Sequence, residues 1–198
     1  MVAHLDRERV HAETTQTWRD WLARNHETST GVWLISWKIA TGRPRVSYEE
    51  SVVEALAVGW VDSLQRTVDA ERSMLWFGPR KAASAWSRPN KERIARLEQA
   101  GRMLPAGLRA VAVAKANGAW NMLDDVENLV VPDDLAAALA ERPGARELWD
   151  SFPRSARRGI LEWIVQARTE PTRLRRISET ADRAARGERA NQWPRGQR

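Results

Sequence analysis

Proline and glycine divide the second half of the chain into short segments, each with the apolar spacing of a helix. Pro105, Pro132, Pro153 and Pro171 each begin such a segment, and a Pro-Gly pair at 143–144 separates two of them. Proline suits the first turn of a helix, where its missing N–H would have no partner, but it breaks a helix further in. The second half is therefore predicted to be a set of short packed helices.

The first half mixes helix and strand patterns. Thr14 or Thr15 can cap a helix that runs to about Asn25. Ser47 and Glu50 form a capping box for a second helix. Between these helices, VWLISWKI alternates apolar side chains onto one face, which predicts a half-buried strand. The segments WVDSL and SMLWF are predicted to be two further short strands.

These patterns give an α+β fold class that is predominantly helical, with a small antiparallel sheet in the N-terminal half and a helical C-terminal module. We expect an α+β domain in residues 1–120, the helical module in 121–187 and a flexible tail in 188–198. No run approaches the roughly 18 apolar residues of a membrane helix. The N-terminal stretch MVAHLDRERVHAETT is charged where a signal peptide is apolar. We therefore expect a cytoplasmic protein without a membrane span.

Charge is arranged in blocks along the chain. The net charge is −2 over residues 1–65, +7 over 66–118, −6 over 119–151 and +7 over 152–198. A basic face would suit an anion, including nucleic acid. Alternatively, the acidic block packs beside the basic blocks and neutralises them. The excess of 28 Arg over 4 Lys also fits the codon bias of a GC-rich genome.

Tryptophan is the dominant aromatic residue, with 11 Trp against 2 Phe and 1 Tyr. The segment from Gly59 to Arg93 combines Trp with basic and small polar residues, which suits a stacking platform for a planar or anionic ligand. The alternative is that the Trp side chains are core and the Arg side chains are solvated. The ligand-binding candidates of this segment are Trp60, Asp62, Arg80, Lys81, Ser84, Trp86, Ser87, Asn90 and Arg93.

A second anion site is conceivable where one C-terminal helix ends and the next begins. Its candidates are Arg168, Thr172, Arg173 and Arg176, which could equally form a solvated face.

Acid–base chemistry has few candidates. Asp62, His26 and Glu50 are possible catalytic residues, whereas His4 and His11 lie in a segment that we expect to fray. The chain has no cysteine, and three scattered His do not make a zinc site, so we expect no metal. No phosphate-binding loop, dinucleotide-binding motif or serine-hydrolase motif is present, and we expect no cofactor.

Several sequence blocks occur in a characteristic order. They are NH at 25–26, GVWL at 31–34, SYEE at 47–50, GWVDS at 59–63, PRK…SAWSRPNKER at 79–93, GRMLPAG at 101–107, PDDLAAALA at 132–140 and WIVQARTEPTRLRRI at 163–177. In these blocks the chain resembles the YdeI/OmpD-associated family, which is described as bacteriocin-protecting. The chain departs from the family pattern at Ala57-Val58, where the family tends to have Cys-Phe, and at Ile39, where a Lys is usual. The first change argues against a catalytic thiol.

The resemblance implies resistance to antimicrobial peptides or related stress, without an agreed reaction. Three hypotheses are compatible with the residues. The chain could bind a small-molecule or peptide ligand, planar, anionic or amphipathic, in a Trp- and Arg-lined cleft. It could be a small enzyme that uses Asp62, His26 or Glu50. It could bind nucleic acid through its basic faces, although no recognition motif supports this partner.

Overall fold

The computed structural model describes residues 7–192, which form two compact units divided between Trp120 and Asn121. The strands of the first unit are β1 (Arg9–His11), β2 (Val32–Trp37), β3 (Trp60–Thr67) and β4 (Arg72–Pro79). Its helices are α1 (Thr15–Asn25), α2 (Tyr48–Ala57), α3 (Arg88–Gln99) and α4 (Pro105–Ala116), with a 3-10 turn at Ile39–Thr41. The helices of the second unit are α5 (Asp124–Glu127), α6 (Asp133–Ala140), α7 (Ala145–Ser151), α8 (Arg154–Val165) and α9 (Glu170–Ala184). The predicted α+β class is confirmed.

The sheet of the first unit has the strand order β1-β2-β4-β3. β2 and β3 both pair with β4 in antiparallel fashion, whereas β1 runs parallel to β2. The sheet is therefore mixed rather than purely antiparallel. β1 contains His11, so the expectation that this segment frays was wrong at that residue; His4 lies outside the described residues.

Both faces of the sheet are covered near the middle of β2. Leu34 packs in the core that α1 and α2 form on one face, and Trp33 packs with Trp76 on the other. The prediction of a half-buried strand was wrong for this part of β2, because Val32–Ile35 is buried throughout. The alternation also stops early, since Ile39 leaves the strand and is 76% exposed.

The first unit is held by a buried carboxylate as well as by apolar packing. Glu54 of α2 is 4% exposed and accepts two hydrogen bonds of 2.8 Å from Arg19 of α1. Arg102, which follows α3, donates a further hydrogen bond to the same carboxylate. Nearby, the predicted capping box of Ser47 and Glu50 fixes the beginning of α2. Two other parts of the chain, α1 and the segment after α3, thus meet at α2.

The second unit also contains a buried carboxylate that is bound by arginine. The carboxylate of Glu127 accepts hydrogen bonds of 2.7 and 3.1 Å from Arg158 of α8, beside an apolar core that includes Trp149 and Ile160. Beyond α9, Ala190 is buried, and residues 193–198 of the predicted tail lie outside the described residues. Within residues 7–192, every helix is too short or too polar to cross a bilayer.

Candidate functional site

The two indoles proposed as a stacking platform are core side chains. Trp60 is 2% exposed and Trp86 is 1% exposed. Trp60 lies edge-on to Trp21, and its Nε1 donates to the carbonyl of His26 (3.3 Å). Trp86 packs against Trp120 at 5.1 Å between ring centroids. Neither ring presents a face to solvent, and the interpretation of this pair as a binding platform is corrected.

Arg80 is the partner of Trp86. Its guanidinium lies 4.0 Å from the centroid of the indole, and it donates to the carbonyl of Ala85. Its Nε and Nη1 are buried without a hydrogen-bond partner. Burial lowers the pKa of Arg80 to about 10, against the opposing effect of the charge on Asp62. The stacking that the sequence suggested for a ligand is therefore made by the chain itself.

Asp62 and Arg93 lie in a polar cluster that also contains Tyr48, a residue that the sequence reasoning missed. The hydroxyl of Tyr48 donates to Asp62 (3.1 Å). Arg93 donates from Nε to both oxygens of Glu49 (3.1 Å each) and from Nη1 to Asn90 (2.7 Å). Burial raises the pKa of Tyr48, and the charge of Asp62 raises it further. Four of the nine ligand-binding candidates, Asp62, Arg80, Asn90 and Arg93, are thus in or beside one cluster.

The remaining candidates of the segment belong to the loop before α3. Lys81 is exposed, and its carbonyl accepts a hydrogen bond from the amide of Ser84 (2.9 Å), which closes a turn. Ser87 precedes α3 as its N-cap without a side-chain hydrogen bond to the helix. These three residues shape the loop.

The catalytic candidates are not brought together. Glu50 accepts hydrogen bonds from the amide and hydroxyl of Ser47 and from the hydroxyl of Thr15, and these bonds lower its pKa. His26 ends α1, where its Nδ1 lies 2.9 Å from the carbonyl of Leu22. No hydrogen bond or ion pair within residues 7–192 joins His26, Glu50 or Asp62 to one another. In the same range, no group of three or more His, Asp or Glu side chains could hold a metal ion.

The second anion site is also internally occupied. Arg173 donates to Asp134 at 2.7 and 3.0 Å. Arg176 donates to the carbonyl of Trp163 and stacks on its ring. Thr172 takes part in the cap of α9 through Thr169, and Arg168 is exposed. Two of the four residues thus join helices of the second unit: Arg173 connects α9 to α6, and Arg176 connects α9 to α8.

A groove of about 320 Å³ lies on the helix-covered face of the sheet in the first unit. Its floor comes from β2, β3 and β4, and its walls come from the 3-10 turn and the segment that leads into α2. The lining residues are Leu34, Ser36, Trp37, Lys38, Ile39, Arg45, Val46, Tyr48, Ser51, Gln65, Ser73, Met74 and Leu75. Tyr48 joins this groove to the polar cluster around Asp62.

Strand register explains how the groove is built. Ser36 pairs with Ser73 and Leu34 with Leu75, so two small hydroxyl side chains stand side by side just beyond two leucines. Small side chains at this end of the sheet leave room that larger residues would fill. The floor is therefore apolar at one end and polar at the other.

The two basic residues of the groove, Lys38 and Arg45, differ in the hydrogen bonds that they make. The Nζ of Lys38 donates to the carbonyls of Asp69 (2.8 Å) and Ala70 (3.0 Å), so it holds the hairpin turn between β3 and β4. Arg45 makes no hydrogen bond or ion pair within the described part of the chain, although its charge helps to lower the pKa of Glu50. The cation of Arg45 is thus available to an anion in the groove.

Two family profiles match the chain. A domain of unknown function (DUF8412) matches residues 10–110, about half of the chain, and contains the six N-terminal blocks. The family described as bacteriocin-protection, YdeI or OmpD-associated matches residues 128–187, which include the last two blocks, and this match confirms the resemblance for that part of the chain. Comparison with curated proteins gave no match, and comparison with solved structures gave none. The chain therefore belongs to the family of the DUF8412 domain and carries a C-terminal module of the bacteriocin-protection, YdeI or OmpD-associated family.

Proposed function

We propose that this bacteriocin-protection-type protein acts by binding an amphipathic ligand with an anionic group in the groove of its first unit. The observation that carries the proposal is the lining: an apolar floor, a pair of serine hydroxyls and an arginine without a hydrogen bond or ion pair in the described part of the chain meet in one concave site. Ligand sites commonly combine apolar walls with a few well-placed polar groups.

Each part of the groove suits a different part of such a ligand. Leu34, Leu75 and Val46 would cover the apolar part, and the hydroxyls of Ser36 and Ser73 would accept or donate hydrogen bonds. Arg45 would bind a carboxylate or phosphate through parallel hydrogen bonds, a geometry that its planar guanidinium favours.

Thermal shift of the full chain tests the proposal. The panel contains aromatic carboxylates, nucleotides, indoles and amphipathic peptides at increasing concentration. A ligand at a hundred times its Kd stabilises the folded state by about 2.7 kcal/mol, which raises the Tm by several degrees. We expect saturable stabilisation by the anionic members that also carry an apolar part.

Two variants locate the effect. Arg45→Gln removes the cation, and Ser36→Leu fills the polar end of the groove; both should reduce the shift while the protein remains folded. Arg66→Gln is the matched control, because Arg66 is exposed on β3 and is not among the residues that line the groove. Equal shifts in Arg45→Gln and Arg66→Gln would contradict a site at the groove.

A further inference from the structure

The outer edge of β3 offers backbone groups to a partner. β3 stands last in the strand order, and no other strand of residues 7–192 pairs with its outer side. The amide of Val68 donates to the carbonyl of Arg72 (3.1 Å), and antiparallel pairs alternate between hydrogen-bonded and non-hydrogen-bonded positions. Counting back from Val68, the backbone N–H and C=O groups of Gln65 and Thr67 point away from β4.

The same two residues border the groove. Gln65 pairs with Leu75 and Thr67 with Ser73, and both of those β4 residues line the groove. Side chains on one face of a sheet lie opposite each other in adjacent strands. A chain added along this edge would therefore place alternate side chains on the groove side.

We propose that β3 and the groove together bind an extended peptide by strand addition, with an acidic side chain of the peptide at Arg45. This inference rests on the proposed ligand site and specifies the ligand as a peptide. In strand addition, backbone hydrogen bonds supply affinity and side-chain pockets supply specificity. Arg45 supplies the charge complementarity, and the exposed side chains of Ile39 and Leu64 supply apolar contact.

A peptide suits this edge better than a second copy of the chain. The register of β3 against β4 shifts between Asp62 and Gln65, and such bulges bend a strand and interrupt pairing along it. The regular part of the edge is thus short, which disfavours edge-to-edge association of two folded copies. A flexible peptide needs only a few residues in register and can follow the bend.

Selection of peptides against the full chain tests the inference. Random eight-residue peptides displayed on phage are enriched on the protein, and the enriched sequences are made with a fluorescent label and measured by anisotropy. We expect sequences with an Asp or Glu among β-branched residues. Thr67→Pro removes an outward N–H without removing a hydrogen bond to β4, and proline is tolerated on edge strands. Its control is Thr67→Val, which keeps the N–H.

The outcomes separate this inference from the proposed function. We expect Thr67→Pro and Arg45→Gln each to weaken peptide binding by about tenfold or more, with Thr67→Val unchanged and all variants folded by circular dichroism. Peptides that bind Thr67→Pro as tightly as the parent would overturn strand addition, as would a failure to enrich any peptide. A dimer of the parent that Thr67→Pro dissociates would assign the edge to self-association instead. If no peptide is enriched but a small anionic ligand binds in a way that depends on Arg45, the proposed function stands and the peptide is refuted.

Discussion

Replacing Glu54 with alanine removes the buried carboxylate that joins α1, α2 and the segment after α3. The change leaves Arg19 and Arg102 without their acceptor, but these side chains are 44% and 42% exposed and water can solvate them. Breaking a fully buried ion pair from one side costs about 3–5 kcal/mol, and an exposed pair contributes at most about 1 kcal/mol. With one partner buried and two half-exposed, we expect a loss of about 2–3 kcal/mol in the free energy of unfolding.

The pH dependence of stability gives an independent check. Burial acts to raise the pKa of Glu54, but hydrogen bonds from Arg19 and Arg102 outweigh burial and the net direction is downward. The ionised carboxylate therefore stabilises the fold at pH values above the unfolded pKa of about 4.3. This contribution is lost as the pH falls through the lower folded pKa. Glu54→Gln should thus lose stability at neutral pH and show a shallower further loss in acid than the parent.

Urea denaturation followed by circular dichroism and tryptophan fluorescence measures both effects. Glu98→Ala is the matched control, because Glu98 is exposed on α3, and surface substitutions usually change stability by less than about 0.5 kcal/mol. A loss in Glu54→Ala no larger than in the control would refute the argument. So would strict additivity of Arg19→Ala and Glu54→Ala in a double-mutant cycle, since residues in direct contact should be coupled.

Two further predictions concern the candidate site and the packing beneath it. Asp62→Asn should lower the pKa of Tyr48 by removing a neighbouring negative charge. Tyr48 is the sole tyrosine of the chain, so the ultraviolet absorbance of tyrosinate measures its pKa directly. An unchanged pKa would contradict the contact between Tyr48 and Asp62. Gly107→Ala should destabilise the first unit by about 1–3 kcal/mol, because the added Cβ would meet the carbonyl of Ala57. In contrast, the Cβ added by Gly159→Ala in α8 meets no other atom, and this variant should stabilise the protein by about 0.5–1 kcal/mol. Urea denaturation midpoints compare the two variants.

Features set by near neighbours in the sequence could be predicted. The capping box of Ser47 and Glu50 forms as expected, and Pro105 and Pro171 lie in the first turns of α4 and α9. These signals depend on local backbone geometry, which a few residues determine. The pairing of β1 with β2 was not predictable in the same way, because three residues carry too little pattern to identify a strand or its direction.

The candidate site in the structure differs from the one predicted from the sequence, because long-range strand pairing brings its residues together. Ser36 and Ser73 are unremarkable in the sequence, and they become neighbours through the register of β2 against β4. Trp60 and Trp86 stand among polar residues in the sequence, but their burial depends on the side chains that pack against them. In a chain with 2 Phe and 1 Tyr, indoles are the main source of aromatic bulk for the core. Tryptophan count therefore says little here about ligand binding.

The charge blocks of the sequence are also brought together by contacts between residues that are far apart in the chain. In the second unit, Arg158 binds Glu127 and Arg173 binds Asp134, so the acidic block at 119–151 neutralises part of the basic block that follows it. In the first unit, Arg93 binds Glu49, a carboxylate of the N-terminal block. A phosphate would have to displace these carboxylates before the arginines could contribute to nucleic-acid binding. Because the salt dependence of such binding scales with the number of phosphates contacted, the pI of about 10.6 overstates the basic surface available to nucleic acid.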